Sequence, residues 1–213
     1  MLTINFAFGQ KRRILSGHKT FTYLTVFADS INKVFITDTI KFITTDVPWK
    51  AQPDKQLTVV WKYSKQKIHD TIRNKIFSIG WIEIDSTGAV ESKKTYWTHP
   101  PRNNYCTITE IAPFPIVQFP CELGKKYGFA LSIGEGWGAW SNITLKNYYE
   151  ITNKISKTVN GNIYDSWVIK SQNDSQLGKS SLTTVFNEKL GFIEYNYSFY
   201  NKTTIRLDLI NIE

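Results

Sequence analysis

Five of the chain's seven prolines fall within residues 96–140, together with both cysteines and three of the seven tryptophans, and this crowding decides what the rest can be. A proline holds φ at about −65° and gives no N–H to a β-ladder. Pro113, Pro115 and Pro120 therefore keep residues 112–121 out of the middle of any sheet. The segment reads as an extended edge or crossover whose Phe114, Ile116 and Phe119 seal one end of a β-core. Pro100 and Pro101 stiffen the turn that carries His99 and Arg102.

On either side the sequence is a series of short runs rich in Thr, Ile, Val, Tyr and Phe, broken by turn residues. Strands are expected over residues 20–27, 34–43, 57–63, 76–84, 90–97, 129–133 and 143–151, with a loop at 47–54. The last fifty residues read as a four-stranded meander over 164–171, 181–187, 191–195 and 203–212. Asn160-Gly161 predicts a tight hairpin, and Asp85-Ser86-Thr87-Gly88 predicts a type I turn with a bulge. Residues 105–111 alternate with period two, putting Cys106, Ile108 and Glu110 on one strand face. In residues 64–76, Ile68, Ile72 and Ile76 recur every four positions, but Asp70, Thr71 and Asn74 favour a polar connection. The expectation is an all-β, antiparallel fold, a curved half-barrel or β-sandwich with little or no helix. At 213 residues, 41% hydrophobic and 15% aromatic, it is read as one domain, with a softer division near 98–128.

A net charge of +8 and a pI of 9.3 suit an anionic partner, but the cations are dispersed. Only Lys11-Arg12-Arg13, Lys93-Lys94 and Lys125-Lys126 cluster, which makes nucleic acid a poor fit and leaves membrane-surface association open. Cys106 and Cys121 allow one disulfide or two buried thiols. His18, His69 and His99 lack metal-ligand spacing, and no cofactor is expected. No run of eighteen apolar residues spans a membrane. Residues 1–9 do not make a signal peptide, so the chain is either cytoplasmic or a mature part whose leader was removed.

Candidate site residues come from the midsection. If the face bearing Cys106 and Ile108 is buried, Glu110 is a buried carboxylate that needs a partner, and His99 or Arg102 is nearest in sequence. Such a group is either a structural pair pinning the proline turn or an acid and imidazole tuned for proton transfer. Gly134-Glu135-Gly136-Trp137-Gly138-Ala139-Trp140 lacks the helix that a dinucleotide fingerprint requires, so Trp137 and Trp140 serve as core or as a stacking surface. There is no G-x-S-x-G, H-E-x-x-H or P-loop.

Ser166-Trp167-Val168-Ile169, then Thr183-Thr184-Val185-Phe186-Asn187-Glu188-Lys189-Leu190-Gly191-Phe192-Ile193-Glu194-Tyr195 and Ile205-Arg206-Leu207-Asp208-Leu209, resemble the end of Gram-negative envelope lipoproteins and of the lipoprotein-carrier half-barrels. The elements at residues 97–102 and 113–115 resemble uncharacterised envelope lipoproteins. The chain departs from them in lacking a lipobox cysteine at its start. The resemblance implies an apolar ligand, such as an acyl chain, on a concave face. The functional expectation is a non-enzymatic protein of the periplasm or outer envelope that binds an apolar small molecule, lipid or glycan. Its binding residues are expected to be Trp97, His99, Arg102, Glu110, Trp137 and Trp140. The alternatives are a hydrolase using His99, Arg102 and Glu110, or a basic nucleic-acid-binding domain.

Overall fold

The computed structural model describes residues 14–64, 81–135 and 138–213. The β-forming runs become twelve strands: β1 Thr20–Ala28, β2 Val34–Pro48, β3 Leu57–Lys62, β4 Ile84–Glu91, β5 Thr95–Thr98, β6 Ile116–Gln118, β7 Lys126–Ile133, β8 Ile143–Val159, β9 Asn162–Ser175, β10 Gly178–Asn187, β11 Gly191–Ser198 and β12 Thr204–Ile212. They form one antiparallel sheet in the order β6-β5-β4-β3-β2-β1-β12-β11-β10-β9-β8-β7, curled into a nearly closed barrel. The two free edges, β6 and β7, are consecutive in the chain. Tyr127 bridges the seam by donating its hydroxyl hydrogen to the Ile116 carbonyl at 2.9 Å, so a side chain stands where a ladder rung would be.

Inside and outside follow the period-two rule. On β8 the buried side chains Ile143, Leu145, Asn147, Tyr149 and Ile151 alternate with the exposed Thr144, Lys146 and Tyr148. Outward positions on β9 and β10 are likewise polar, at Lys170, Gln172, Asp174, Lys179 and Ser181. This apolar interior under a polar exterior is the reverse of a lipid-embedded barrel, which needs an apolar outer band. No helix among the described residues is long and apolar enough to cross a membrane.

Each connection lies at one of two rims, because every neighbouring pair is antiparallel. The first rim carries the connections that follow odd-numbered strands, including residues 99–115 between β5 and β6. The second carries those that follow even-numbered strands. The β8–β9 hairpin turns at Asn160 and Gly161, with φ of 48° and 75°, as the Asn-Gly pair predicts. Beyond the irregularity at Ile151/Asn153 it leans across the outside of the barrel, where Lys157 pairs with Glu194, and Asn160 donates to Asn211 at 3.0 Å.

Three expectations are corrected, the first being the strand expected over 90–97, which a turn at residues 92–94 divides between β4 and β5. Residues 85–88 are not a turn but lie inside β4, whose hairpin turns at Ser92, the hydroxyl oxygen of which accepts the Thr95 N–H at 3.0 Å. At Gly88 a Cβ would sit 1.7 Å from Gln56 Oε1, the movable tip of that side chain, and 3.0 Å from Trp49 Cδ1. Residues 105–111 are not a strand but part of a 3₁₀ helix, Asn104–Ile111. The readings at 64–76 and at the start of 76–84 fall largely on residues 65–80, outside the described residues.

Gly191, the first residue of β11, has both a positive φ of 82° and neighbours at contact distance: a Cβ would stand 2.9 Å from the Tyr96 hydroxyl and 3.0 Å from Ile14 Cγ2. Both neighbours are buried at 2% exposure and have little room to shift. Gly191→Ala is expected to cost about 2 kcal/mol through combined backbone strain and overpacking, read as a shift in urea midpoint with unchanged slope.

Candidate functional site

After Thr98 the chain turns inward, and residues 99–115 cross the first rim as a plug. Barrel side chains meet the plug's backbone at successive points. Trp61 Nε1 donates to the His99 carbonyl at 3.0 Å, and the Tyr63 hydroxyl accepts the N–H groups of Arg102 and Asn103 at 2.9 and 3.1 Å. From the other wall, Asn173 Nδ2 donates to the Ile111 carbonyl at 2.8 Å, and the Tyr149 hydroxyl donates to the Phe114 carbonyl at 3.0 Å. The plug's own Tyr105 hydroxyl donates to Asp38 on β2 at 3.1 Å. A 3₁₀ helix suits the position because it is wrapped on all sides: Tyr105, Cys106, Ile108, Thr109, Glu110 and Ile111 are all buried, on both of the faces that a strand would have separated. The plug therefore occupies the concave side that the sequence reading left for a ligand.

Within the plug Glu110 is buried, on a 3₁₀ helix and not on the strand face that the period-two reading gave, and His99 is the partner it meets, with Nε2 3.5 Å from Oε1. Arg102 turns away to Asp85 on β4, its Nε 2.8 Å from Oδ2. Burial pushes the Glu110 carboxyl up to about 7, against the pull of Arg102, while burial and then Arg102 push the His99 imidazole down to about 4. Both shifts favour uncharged forms. The geometry agrees: His99 Nδ1 lies 3.2 Å from the Pro100 carbonyl, which fixes the proton there and turns the Nε2 lone pair towards Glu110. Glu110 Oε1 makes no hydrogen bond among the described residues, which suits a protonated acid facing an imidazole lone pair across a long contact, not a carboxylate buried without compensation.

Trp97 completes the group from β5. It pairs with Val90 and Ile116 on the outward side of the sheet, half-buried, stacked on Phe114 at 6.4 Å and edge-on to His99 at 5.9 Å. Four of the expected site residues, Trp97, His99, Arg102 and Glu110, thus gather at the first rim. Trp140 does not join them as an exposed platform: it is 8% exposed, in the core, at the end of a short 3₁₀ turn. Trp137 lies outside the described residues. Asp85 and Phe114 belong to the site and were missed. Asp85 was hidden by its turn-like neighbours, and Phe114 was read only as a seal.

As a catalytic set the arrangement is poor. An acid, a base and a cation would have to meet at an open cleft, but the side chains of His99 and Glu110 are only 13% and 9% exposed and Arg102 is held by Asp85. The cysteines are free thiols, Cys106 in the plug and Cys121 on the β6–β7 connection, so they lie towards opposite rims and do not join as the sequence spacing allowed.

No family model matches the chain, and no curated protein matches it. Two solved structures share the fold: one from Bacteroides fragilis, assigned as an exported protein with a YmcC-like fold, and one from Parabacteroides distasonis, assigned as a lipoprotein. Each match covers 94% of this chain and 97% of the other, with TM-scores of 0.51 and 0.52 and 7% sequence identity, a likeness of fold alone.

Proposed function

We propose that the chain is a non-enzymatic binding protein of the bacterial envelope that holds a carbohydrate at the plugged rim, against the outward ring of Trp97. The exported and lipoprotein assignments of the two structural neighbours, and the likeness of residues 97–102 and 113–115 to envelope lipoproteins, support the location. Trp97 supports the ligand class: a partly exposed indole, braced by Phe114 and His99 so that it loses little freedom on binding, offers a flat apolar face beside polar groups. His99 and Glu110 beneath the ring favour uncharged forms, so the surface there suits hydroxyl groups better than an ion. An acyl chain fits less well, since the plug fills the interior it would occupy.

The test is fluorescence titration with a panel of neutral and N-acetylated oligosaccharides. At least one should give a saturable change that Trp97→Ala abolishes while the far-ultraviolet circular dichroism is retained. Full retention of binding in Trp97→Ala would overturn the reading, and a co-purifying lipid found by mass spectrometry would replace the glycan with an acyl ligand.

A further inference from the structure

Among the described residues, the connections of the second rim carry more cations than those of the plugged one. Three of its connections are neighbours along the strand order: residues 49–56 between β2 and β3, 92–94 between β4 and β5, and 119–125 between β6 and β7. They touch: the Phe119 N–H donates to the Lys94 carbonyl at 2.8 Å, and the Gln56 and Trp49 side chains lie over Gly88, which leads to the β4–β5 turn. These loops hold Lys50, Lys55, Lys93, Lys94 and Lys125, against Asp54 and Glu122. Lys50, Lys55, Lys93 and Lys94 are exposed, and Lys125 caps the Gln118 and Pro120 carbonyls at 3.2 and 2.9 Å. Two large apolar side chains stand out from the same rim into solvent: Leu123 at 64% and Val47, at the end of β2, at 55% exposure. On the connections of the plugged rim, by contrast, the described residues balance Lys33, Arg102 and Lys202 against Asp29, Glu83 and Glu135.

We infer that this lysine-bearing rim docks on an anionic lipid surface, with Leu123 and Val47 entering the headgroup layer. Charge complementarity selects the partner. Dispersed lysines on loop tips attract a plane of negative headgroups without needing fixed geometry, and protruding apolar side chains that would be costly in water gain from the interface. The lysines lack the fixed forks of arginine that phosphate recognition in nucleic acids favours, and only Trp49 and Phe119 supply aromatic rings there. The orientation rests on the envelope location proposed above, but not on a glycan ligand, so either can fail alone.

Co-sedimentation of the full chain with phosphatidylcholine vesicles, with and without phosphatidylglycerol, tests it. Binding is expected only with phosphatidylglycerol and should fall steeply as salt rises to about 0.3 M. Lys93→Glu/Lys94→Glu should weaken it roughly tenfold or more, Leu123→Asp should weaken it as well, and Lys33→Glu/Lys202→Glu at the opposite rim should leave it unchanged. All these positions are exposed, so unaltered melting curves certify the fold. Equal binding to neutral vesicles, no binding at low salt, or insensitivity to the Lys93/Lys94 reversal would overturn the inference. Retardation of nucleic acid lost in the same variant, without vesicle binding, would assign the rim to nucleic acid instead.

Discussion

Trp61→Ala is expected to destabilise the protein by about 4 kcal/mol, the largest single effect of any substitution considered. Trp61 is fully buried at 0% exposure, with its ring 4.9 Å from Phe42 on β2 and 6.1 Å from Tyr23 on β1, so alanine opens a cavity between three strands. Its indole nitrogen is also the donor to the His99 carbonyl, where the plug begins. Trp61→Phe separates the two roles. It keeps most of the packing but strands a buried carbonyl, and should cost about 1–2 kcal/mol. In that variant the plug should loosen before the barrel does: hydrogen exchange at Arg102 and Asn103, whose N–H groups end on the Tyr63 hydroxyl, should accelerate more than exchange in β10 and β11. A urea midpoint for Trp61→Ala close to wild type would mean that the plug does not seat on β3.

The barrel was legible wherever a strand buries one face. Residues 143–151 alternate cleanly because one side meets the interior and the other meets water, and Asn160-Gly161 marks its hairpin because only a positive-φ pair turns so tightly. The plug was illegible for the converse reason. A period-two test assumes one buried face, and residues 105–111 are enclosed on all sides, so their apolar pattern carries no strand signal at all. Asp85 and Gly88 look like turn residues locally, yet each answers a partner distant in sequence: Asp85 the Arg102 guanidinium, Gly88 the Gln56 and Trp49 side chains. Much of the site could still be anticipated, since a carboxylate among Cys106 and Ile108 has to find a nearby partner and His99 was one of two in reach. What the sequence did not contain was which partner, because Asp85, brought close by the β3–β4–β5 pairing, takes the arginine first.

Glu110→Gln and His99→Gln should each make stability strongly dependent on pH, in opposite directions, where the wild type is nearly flat. Glu110 titrates from 4.5 to about 7 on folding, so the folded state holds more protons than the unfolded chain between those values. Its contribution is complete below pH 4.5 and is lost as pH rises through 7. His99 moves the other way, from 6.5 down to about 4, so its contribution is complete above pH 6.5 and is lost as pH falls through 4. Each slope is worth about 3 kcal/mol across its window, and between pH 4.5 and 6.5 they cancel. Removing one partner exposes the other. Glu110→Gln keeps a donor towards His99 Nε2 and leaves only the imidazole, so its urea midpoint should climb from pH 4 to 6.5. His99→Gln leaves the carboxyl, whose shift comes from burial and not from the imidazole, so its midpoint should fall from pH 4.5 to 7. Arg102 and Asp85, which act on both groups, are present in every variant, as is Glu194, held low by Lys157 and Asn196 despite partial burial, so difference curves against wild type remove them. A flat profile in both variants would mean that water reaches the pair and both groups titrate as they do unfolded.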